Sequence, residues 1–296
     1  MSYTIKKHKL GYSYIFPTPS EKELSDYYEK KYYQNLTAST YQAAYSEEEL
    51  TVLKIDADLS NYFFTEYSGD KSGDLIDIAC GEGFFMKNMQ DLGWNVYGTD
   101  YSSHGIVKNN PAFKDKVIYG DLNAVLDDLI QKGTTFDFIN LGNILEHVVS
   151  PIDLLNNCYK LLNQKGLLRI KVPNDFSSLQ QLLTSKGKIE PYWVHPPDHL
   201  SYFNFENLPK VLSHCNFTIE KMIGDFPIEL FLLHPASNYI DNKVGKEAHQ
   251  ARINYALSIW GLGIEKFLEI SSGLAQSQLS RCCIVYSSKI SCHESE

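Results

Sequence analysis

The chain has 296 residues, of which 43% are hydrophobic and 21% charged, and 27 Lys+Arg against 36 Asp+Glu leave a formal net charge of −9. That is ordinary globular material, enough for one sizeable core and roughly one to two domains. The acidic balance argues against a nucleic-acid partner, which needs a basic face to neutralise phosphates, and no apolar run approaches the ~20 residues of a membrane span.

No apolar run stands behind Met1–Lys7, so no signal peptide is expected. Residues 1–70 are polar, Tyr-rich and broken by Pro17 and Pro19, and read as a cap or lid segment. Ser20 followed by Glu21 and Glu23 predicts a helix start, the acids suiting the helix dipole. Ser46 with Glu49 has capping-box spacing and predicts a helix to about Tyr67. Beyond residue 70 short apolar runs alternate with helical patterns. Residues 75–79 predict a buried strand, and a helix from about Phe84 stops at Gly93. Residues 96–99, 117–119 and 136–141 predict three more strands. Pro151 opens a helix to about Asn163, and 167–172 predict a fifth strand closed by Pro173. Residues 174–215 hold a helix, an aromatic, Pro- and His-rich stretch over 191–199, and a short helix after Asn204. Residues 218–223 predict a sixth strand, 237–270 a helical insertion, and 281–286 the last strand. Such alternation implies βαβ units. The expected fold is α/β: a Rossmann-like, doubly wound domain over 71–296, with a mainly parallel seven-stranded sheet and an N-terminal helical cap.

Cysteines stand at 80, 158, 215, 282, 283 and 292, with no C-x-x-C pair and no Cys/His group at zinc-site spacing. They read as reduced thiols of a cytoplasmic protein, and no metal is expected.

The segment Asp77-Ile78-Ala79-Cys80-Gly81-Glu82-Gly83 lies where the first strand of the sheet meets its helix. A tight turn there lets a ligand approach the backbone, and the helix start offers it unpaired N–H groups. Asp100 ends the second strand, where a carboxylate can accept from both ribose hydroxyls of an adenosine. Asp121 follows the third, where it can accept from an adenine amino group while Leu122 packs on the ring. Taken singly, each Asp also fits a helix cap or turn. A nicotinamide-dinucleotide fingerprint would need glycine at 86, which is Met86.

Asp77 to Gly83, Asp100, Asp121 and the stretch from Phe136-Asp137 to Leu145-Glu146-His147 together resemble the class I S-adenosylmethionine-dependent methyltransferases. The likeness is nearest to the small-molecule branch that includes the ubiquinone-pathway O-methyltransferases, and it covers roughly residues 70–225. Ala79 and Phe85 stand where that family often has glycine. The resemblance implies S-adenosylmethionine as cofactor. It places Asp77 near the methionine amino group, Ala79, Gly81 and Gly83 along the cofactor, and Asp100 with Tyr101 at the ribose. Asp121 and Leu122 fall at the adenine, and Leu141 and Gly142 beside the methionine part.

The acceptor is expected to be a small molecule. The D/N-P-P-Y/F motif of amino-directed nucleic-acid enzymes is replaced by Asn140-Leu141-Gly142-Asn143. Base candidates are His147, His195 and His199, since histidine titrates near neutrality. Glu146-His147 lies in the crevice beyond the fourth strand, and His195 and His199 flank Pro196-Pro197-Asp198. The stretch from Gly11-Tyr12 through Pro17-Thr18-Pro19-Ser20 to Tyr27-Tyr28 resembles methyltransferases of bacterial sugar and surface-polysaccharide pathways. A sugar or nucleotide-sugar is therefore the first expected acceptor, a quinone-like or phenolic one the second. A cofactor-binding regulatory protein without turnover is the reading of another class. The sequence sets no oligomeric state.

Overall fold

Buried strands alternate with helices in the computed structural model of the chain, which describes residues 3–24, 27 and 45–290. Strands β1 (Thr4–Lys7) and β2 (Ser13–Phe16) form an antiparallel hairpin. Residues 21–24 are helical, and Glu23 accepts from Ser20 N at 2.8 Å. Helix α1 (Glu47–Ser68) opens on a complete capping box between Ser46 and Glu49, and stops at Gly69 in the left-handed region.

The alternating part follows as β3 (Asp74–Ile78), α2 (Phe84–Asp91), β4 (Asn95–Asp100), α3 (His104–Asn109) and β5 (Val117–Tyr119). It continues with α4 (Leu122–Gln131), β6 (Phe136–Gly142), α5 (Pro151–Leu161) and β7 (Leu162–Pro173). Then come α6 (Ser178–Ser185), β8 (Ser201–Tyr202), α7 (Leu208–His214) and β9 (Phe217–Gly224). Helices α8 (Gly245–Trp260) and α9 (Ile264–Ser277) precede β10 (Cys282–Lys289).

The large sheet has seven strands in the order β5-β4-β3-β6-β7-β10-β9. Neighbours from β5 to β7 are parallel, and β10 runs antiparallel to both β7 and β9. Both faces are covered, which is why the strands read as continuous apolar runs. Side chains alternate across the sheet. Ile76, Ile78, Ile139 and Leu141 pack with α4 and α5, while Leu75, Val96 and Phe138 pack with α1 and α2. Asp77, Asn140 and Arg169 share this second face by the same alternation, and it is there that the polar site forms.

The N-terminal segment departs from a purely helical cap. Its hairpin joins β8 in a small second sheet, with Ser13 opposite Tyr202. Helix α1 is a layer of the main domain, packed on α2 and α8. The helical insertion also covers the sheet, with α9 on β9 and α8 on α1. Among the described residues no helix is long and apolar enough to cross a membrane.

Candidate functional site

The turn after β3 is built from left-handed backbone: Ala79 at φ 58°, Gly81 at 57° and Gly83 at 75°. Glycine adopts these angles freely, whereas Ala79 does so at a cost. Thr99 O, at the end of β4, accepts from Cys80 N at 2.9 Å, and Gly83 N donates back to Cys80 O. Asp100 then closes the turn across the two strands, accepting from Gly81 N at 2.8 Å and from Ser102 N at 2.9 Å.

Met86 replaces the glycine that would bring helix and strand close. Here the strand supplies the room instead. A side-chain carbon on Gly98 of β4 would sit 2.7 Å from Met86 Sδ. Phe85 is accommodated beneath the Arg169 guanidinium, 5.3 Å from the ring centre.

Asp77 is 3% exposed, one turn of chain before the glycines. Burial pushes its carboxyl up to about 7, against the pull of its Asn140 hydrogen bond and the Arg169 charge, with the Asp100 charge adding to the rise. Asn140 Nδ2 donates to Asp77 Oδ1 at 2.6 Å, and Arg169 Nη1 donates to Asn140 Oδ1 at 2.8 Å. Arg169 and Lys171 in turn grip Asp56 of α1, at 3.0 and 2.9 Å. This chain of contacts fixes Asp77 from β6, β7 and α1. Sequence reasoning missed Asn140, Arg169 and Asp56 as supports. The available signal was an Arg and a Lys at alternate positions of an otherwise apolar strand, which demands a buried acid nearby.

Asp121 N-caps α4, its Oδ1 accepting from Ala124 N at 3.0 Å, at the end of β5 next to β4. Leu122 is half-buried against the core, Leu141 is fully buried beside Ile78, and Tyr101 is 49% exposed. Tyr45 donates to Glu82 in the glycine turn and packs edge-on against Phe84. Tyr32, Tyr33 and Tyr41, which belong with Tyr45 to the Tyr-rich segment read from sequence as a cap or lid, lie outside the described residues.

A second cluster forms just past β6. Glu146 O accepts from Leu200 N at 2.8 Å and Ser201 N at 3.1 Å, which brings the 191–199 loop onto the end of the sheet. His147 and His199 thereby meet edge-to-face with ring centres 4.8 Å apart. Asp198 O lies 2.7 Å from His147 Nδ1, and Glu146 Oε1 lies 3.9 Å from His147 Nε2. Burial raises the Glu146 carboxyl to about 7, with the His199 charge opposing it. Behind His199, Asp175 Oδ2 lies 3.8 Å from Nδ1, while Asp175 Oδ1 accepts from Arg281 Nη1 at 2.8 Å. His195 is exposed and stands outside this cluster. The structure therefore brings two of the three histidines expected from sequence together with Glu146, and adds Asp175 to them.

Residues 51–222 match the family model described as a methyltransferase domain. Among curated proteins, the chain is 33% identical over 104 residues to the mitochondrial ubiquinone biosynthesis O-methyltransferase of Saccharomyces cerevisiae, covering 34% of this chain and 33% of that protein. It is 29% identical over 127 residues to the ubiquinone biosynthesis O-methyltransferase of a Caulobacter species, covering 42% and 50%. The chain thus spans about a third to a half of the length of these relatives. Among solved structures, an S-adenosylmethionine-dependent methyltransferase from Archaeoglobus fulgidus superposes with a TM-score of 0.50 at 16% identity, covering 80% of this chain and 94% of that one. A plantazolicin methyltransferase in complex with S-adenosylhomocysteine gives 0.50 at 12% identity, covering 93% of both chains. At these identities the structural likeness shows a shared fold.

Proposed function

This chain belongs to the methyltransferase-domain family and carries a class I S-adenosylmethionine-dependent methyltransferase domain, and we propose that it methylates a hydroxyl of a small phenolic or quinone-like acceptor. The observation that carries the reading is the pairing of two largely shielded polar clusters at the carboxyl ends of neighbouring central strands. Asp77, Asp100 and the glycine turn stand at the ends of β3 and β4, and Glu146, His147 and His199 stand just beyond β6, the strand next to β3. Ligands of open α/β sheets bind in the crevice outside the carboxyl ends of the strands.

The first cluster fits the cofactor. Asp77 is a buried carboxylate bonded to a neutral amide, and its raised pKa marks a place where a cation is welcome. It would hold the α-ammonium group. Asp100, positioned by Gly81 and Ser102, would accept from the ribose hydroxyls, with Tyr101 beside them. Asp121 and Leu122 would meet the adenine, and Ala79, Gly81, Gly83 and Leu141 would line the remainder. When bound, the cofactor supplies an electrophilic methyl group on a cationic sulfur. The residues' task is to align the acceptor and exclude water.

The second cluster suits an oxygen nucleophile, which must give up a proton as it gains the methyl group. His147 and His199, with Glu146 beside them, would polarise the acceptor's O–H bond. His195, exposed and outside the cluster, is not assigned that work. The relatives named above carry ubiquinone rather than a sugar in their names, and this favours a phenolic acceptor over the sugar first expected from the N-terminal stretch.

The test is release of S-adenosylhomocysteine across a panel of phenols, catechols and nucleotide-sugars. Turnover with phenols is the expected result, and turnover confined to nucleotide-sugars overturns the proposal. His199→Ala should lower turnover by roughly 10²-fold, the scale of a lost proton-transfer group. Its dissociation constant for S-adenosylhomocysteine should stay within about twofold.

A further inference from the structure

We infer that Asp175 is a positioning residue for the reaction: it holds the His199 ring through Nδ1, so that the other nitrogen, Nε2, is left to take the acceptor's proton. The inference rests on the reading of His199 as the group that receives that proton.

Two shielded atoms stand opposite each other with no other bond to make. Asp175 Oδ2 lies 3.8 Å from His199 Nδ1, and neither atom has a hydrogen-bond partner among the described residues. The Asp175 side chain is 1% exposed and the His199 side chain 19%. Buried polar atoms are ordinarily satisfied. A movement of about 1 Å brings these two to hydrogen-bond distance and satisfies both at once. A neutral imidazole carries a proton on one nitrogen, and a carboxylate only accepts. The bond therefore places the proton on Nδ1 and leaves the lone pair on Nε2.

The rest of Asp175 is fixed from several sides. Its Oδ1 accepts from Arg281 Nη1 at 2.8 Å, just before β10. Its N–H donates to Phe203 O at 2.8 Å, and its carbonyl accepts from Asn204 Nδ2 at 3.4 Å. Arg281 also stands 3.9 Å from Glu229, which accepts from Gln180 Nε2 at 2.8 Å and from the Tyr192 hydroxyl at 3.1 Å. An Asp that served only to neutralise Arg281 would turn both oxygens to the guanidinium fork. Here the guanidinium bonds Oδ1, and Oδ2 is left toward the histidine.

This arrangement suits the proton's path. As the acceptor oxygen gains the methyl group from the sulfonium, its O–H bond breaks and the proton passes to Nε2. S-adenosylhomocysteine leaves with a neutral sulfur, and the ring becomes an imidazolium. Its charge then lies beside the Asp175 carboxylate, and an opposite charge at this range favours the charged ring. The other titratable and charged groups around the ring come from several elements. They are Glu146 and His147 after β6, Arg281 and Glu229 behind Asp175, and the Tyr202 hydroxyl of β8, which donates to His199 O. Asp175 is the one among them that pairs with Nδ1.

The first measurement needs neither cofactor nor acceptor, so it can fail while the proposed methyl transfer stands. In protein with nitrogen-isotope-labelled histidine, the ring shifts report which nitrogen bears the proton. The His199 signals among the nine histidines are those lost in His199→Gln. Above its titration midpoint His199 should carry its proton on Nδ1. The Nε2-protonated ring in wild-type protein overturns the inference, whether or not any variant folds. Asp175→Asn presents a donor where the carboxylate accepted. In folded protein it should move the proton to Nε2 and lower the His199 midpoint by about one pH unit or more, the scale of a lost opposite charge. The kcat should fall by at least about 10-fold, as when a base is held in the wrong tautomer, with KM for the acceptor within about twofold. The acidic limb of the kcat profile should move to lower pH with the midpoint. An unchanged tautomer and midpoint in folded Asp175→Asn overturns the inference, and so does a loss of kcat with an unmoved acidic limb, which a merely structural role would give. If wild-type protein turns over no acceptor, it is the reaction that is refuted, and the tautomer still decides the pairing.

Discussion

If Asp77 holds the cofactor's ammonium group, cofactor affinity must rise with pH through neutrality. In the free protein burial lifts the Asp77 carboxyl from its ordinary 3.8 to about 7. The sign follows from linkage: a carboxyl raised by folding costs nothing at low pH, and its cost grows as pH climbs toward the folded value. Above neutrality that cost is about 4 kcal/mol, at 1.36 kcal/mol per pH unit. A cation bound beside Asp77 favours the ionised form, so part of the cost is recovered on binding and a proton is released. With the carboxylate fully ionised in the complex, the dissociation constant scales as one plus the protonated-to-ionised ratio of the free protein. It should therefore be about tenfold weaker at pH 6 than at pH 8, or about 1.4 kcal/mol, with roughly half a proton released per binding event at pH 7. Calorimetry with S-adenosylhomocysteine in buffers of different ionisation enthalpy reads both quantities. Asp100 is also raised by burial and adds to the slope, so Asp77→Asn assigns the effect. A constant affinity from pH 6 to 8 with no proton released refutes the placement. So does the same pH dependence in a folded Asp77→Asn variant.

Asp100→Ala should weaken S-adenosylhomocysteine binding by about 1.5–3 kcal/mol, the scale of hydrogen bonds to a charged group; an unchanged dissociation constant in folded protein counts against the ribose assignment. Asp121→Ala should cost about 1 kcal/mol of stability through the lost cap on α4, read as a lower melting temperature. If it leaves cofactor affinity untouched, Asp121 caps α4 and does no more. Ala79→Gly should stabilise the fold by about 0.5–1 kcal/mol in denaturant titration, because glycine relieves the left-handed strain at φ 58°. A loss of stability there would mean that the strain is absent.

The sheet was legible because each central strand is buried on both faces and so appears as an apolar run between turn signals. The capping box at Ser46 and Glu49 and the glycine turn were legible because their chemistry is local. The hairpin of β1 and β2 was not. β1 is exposed throughout and carries Lys6 and Lys7, so it shows no buried face, and the strand that β2 pairs with on its other side, β8, lies some 185 residues away. The polar supports were hidden for the same kind of reason: Asp56 on α1 answers Arg169 and Lys171 on β7 across more than 110 residues.

Met86 shows how a motif can fail in sequence while its physical requirement is met. A glycine in the first turn of the helix matters because it lets helix and strand approach. That approach depends on the pair of facing positions, and this chain places the glycine on the other side, at Gly98 in β4, where an added side-chain carbon would sit 2.7 Å from the Met86 sulfur and 2.9 Å from the Cys80 sulfur. The absent glycine at 86 thus carries less weight against a dinucleotide than the sequence suggests. The discrimination rests on what surrounds the turn. Asp100 already accepts from Gly81 N and Ser102 N, which sets a negative group across the very backbone amides that a pyrophosphate would need. With Asp77 buried one turn of chain away, the pocket presents two acids where a dinucleotide carries its own negative charge. A ligand that brings an ammonium group to that end is the one whose charge would complement Asp77 and Asp100.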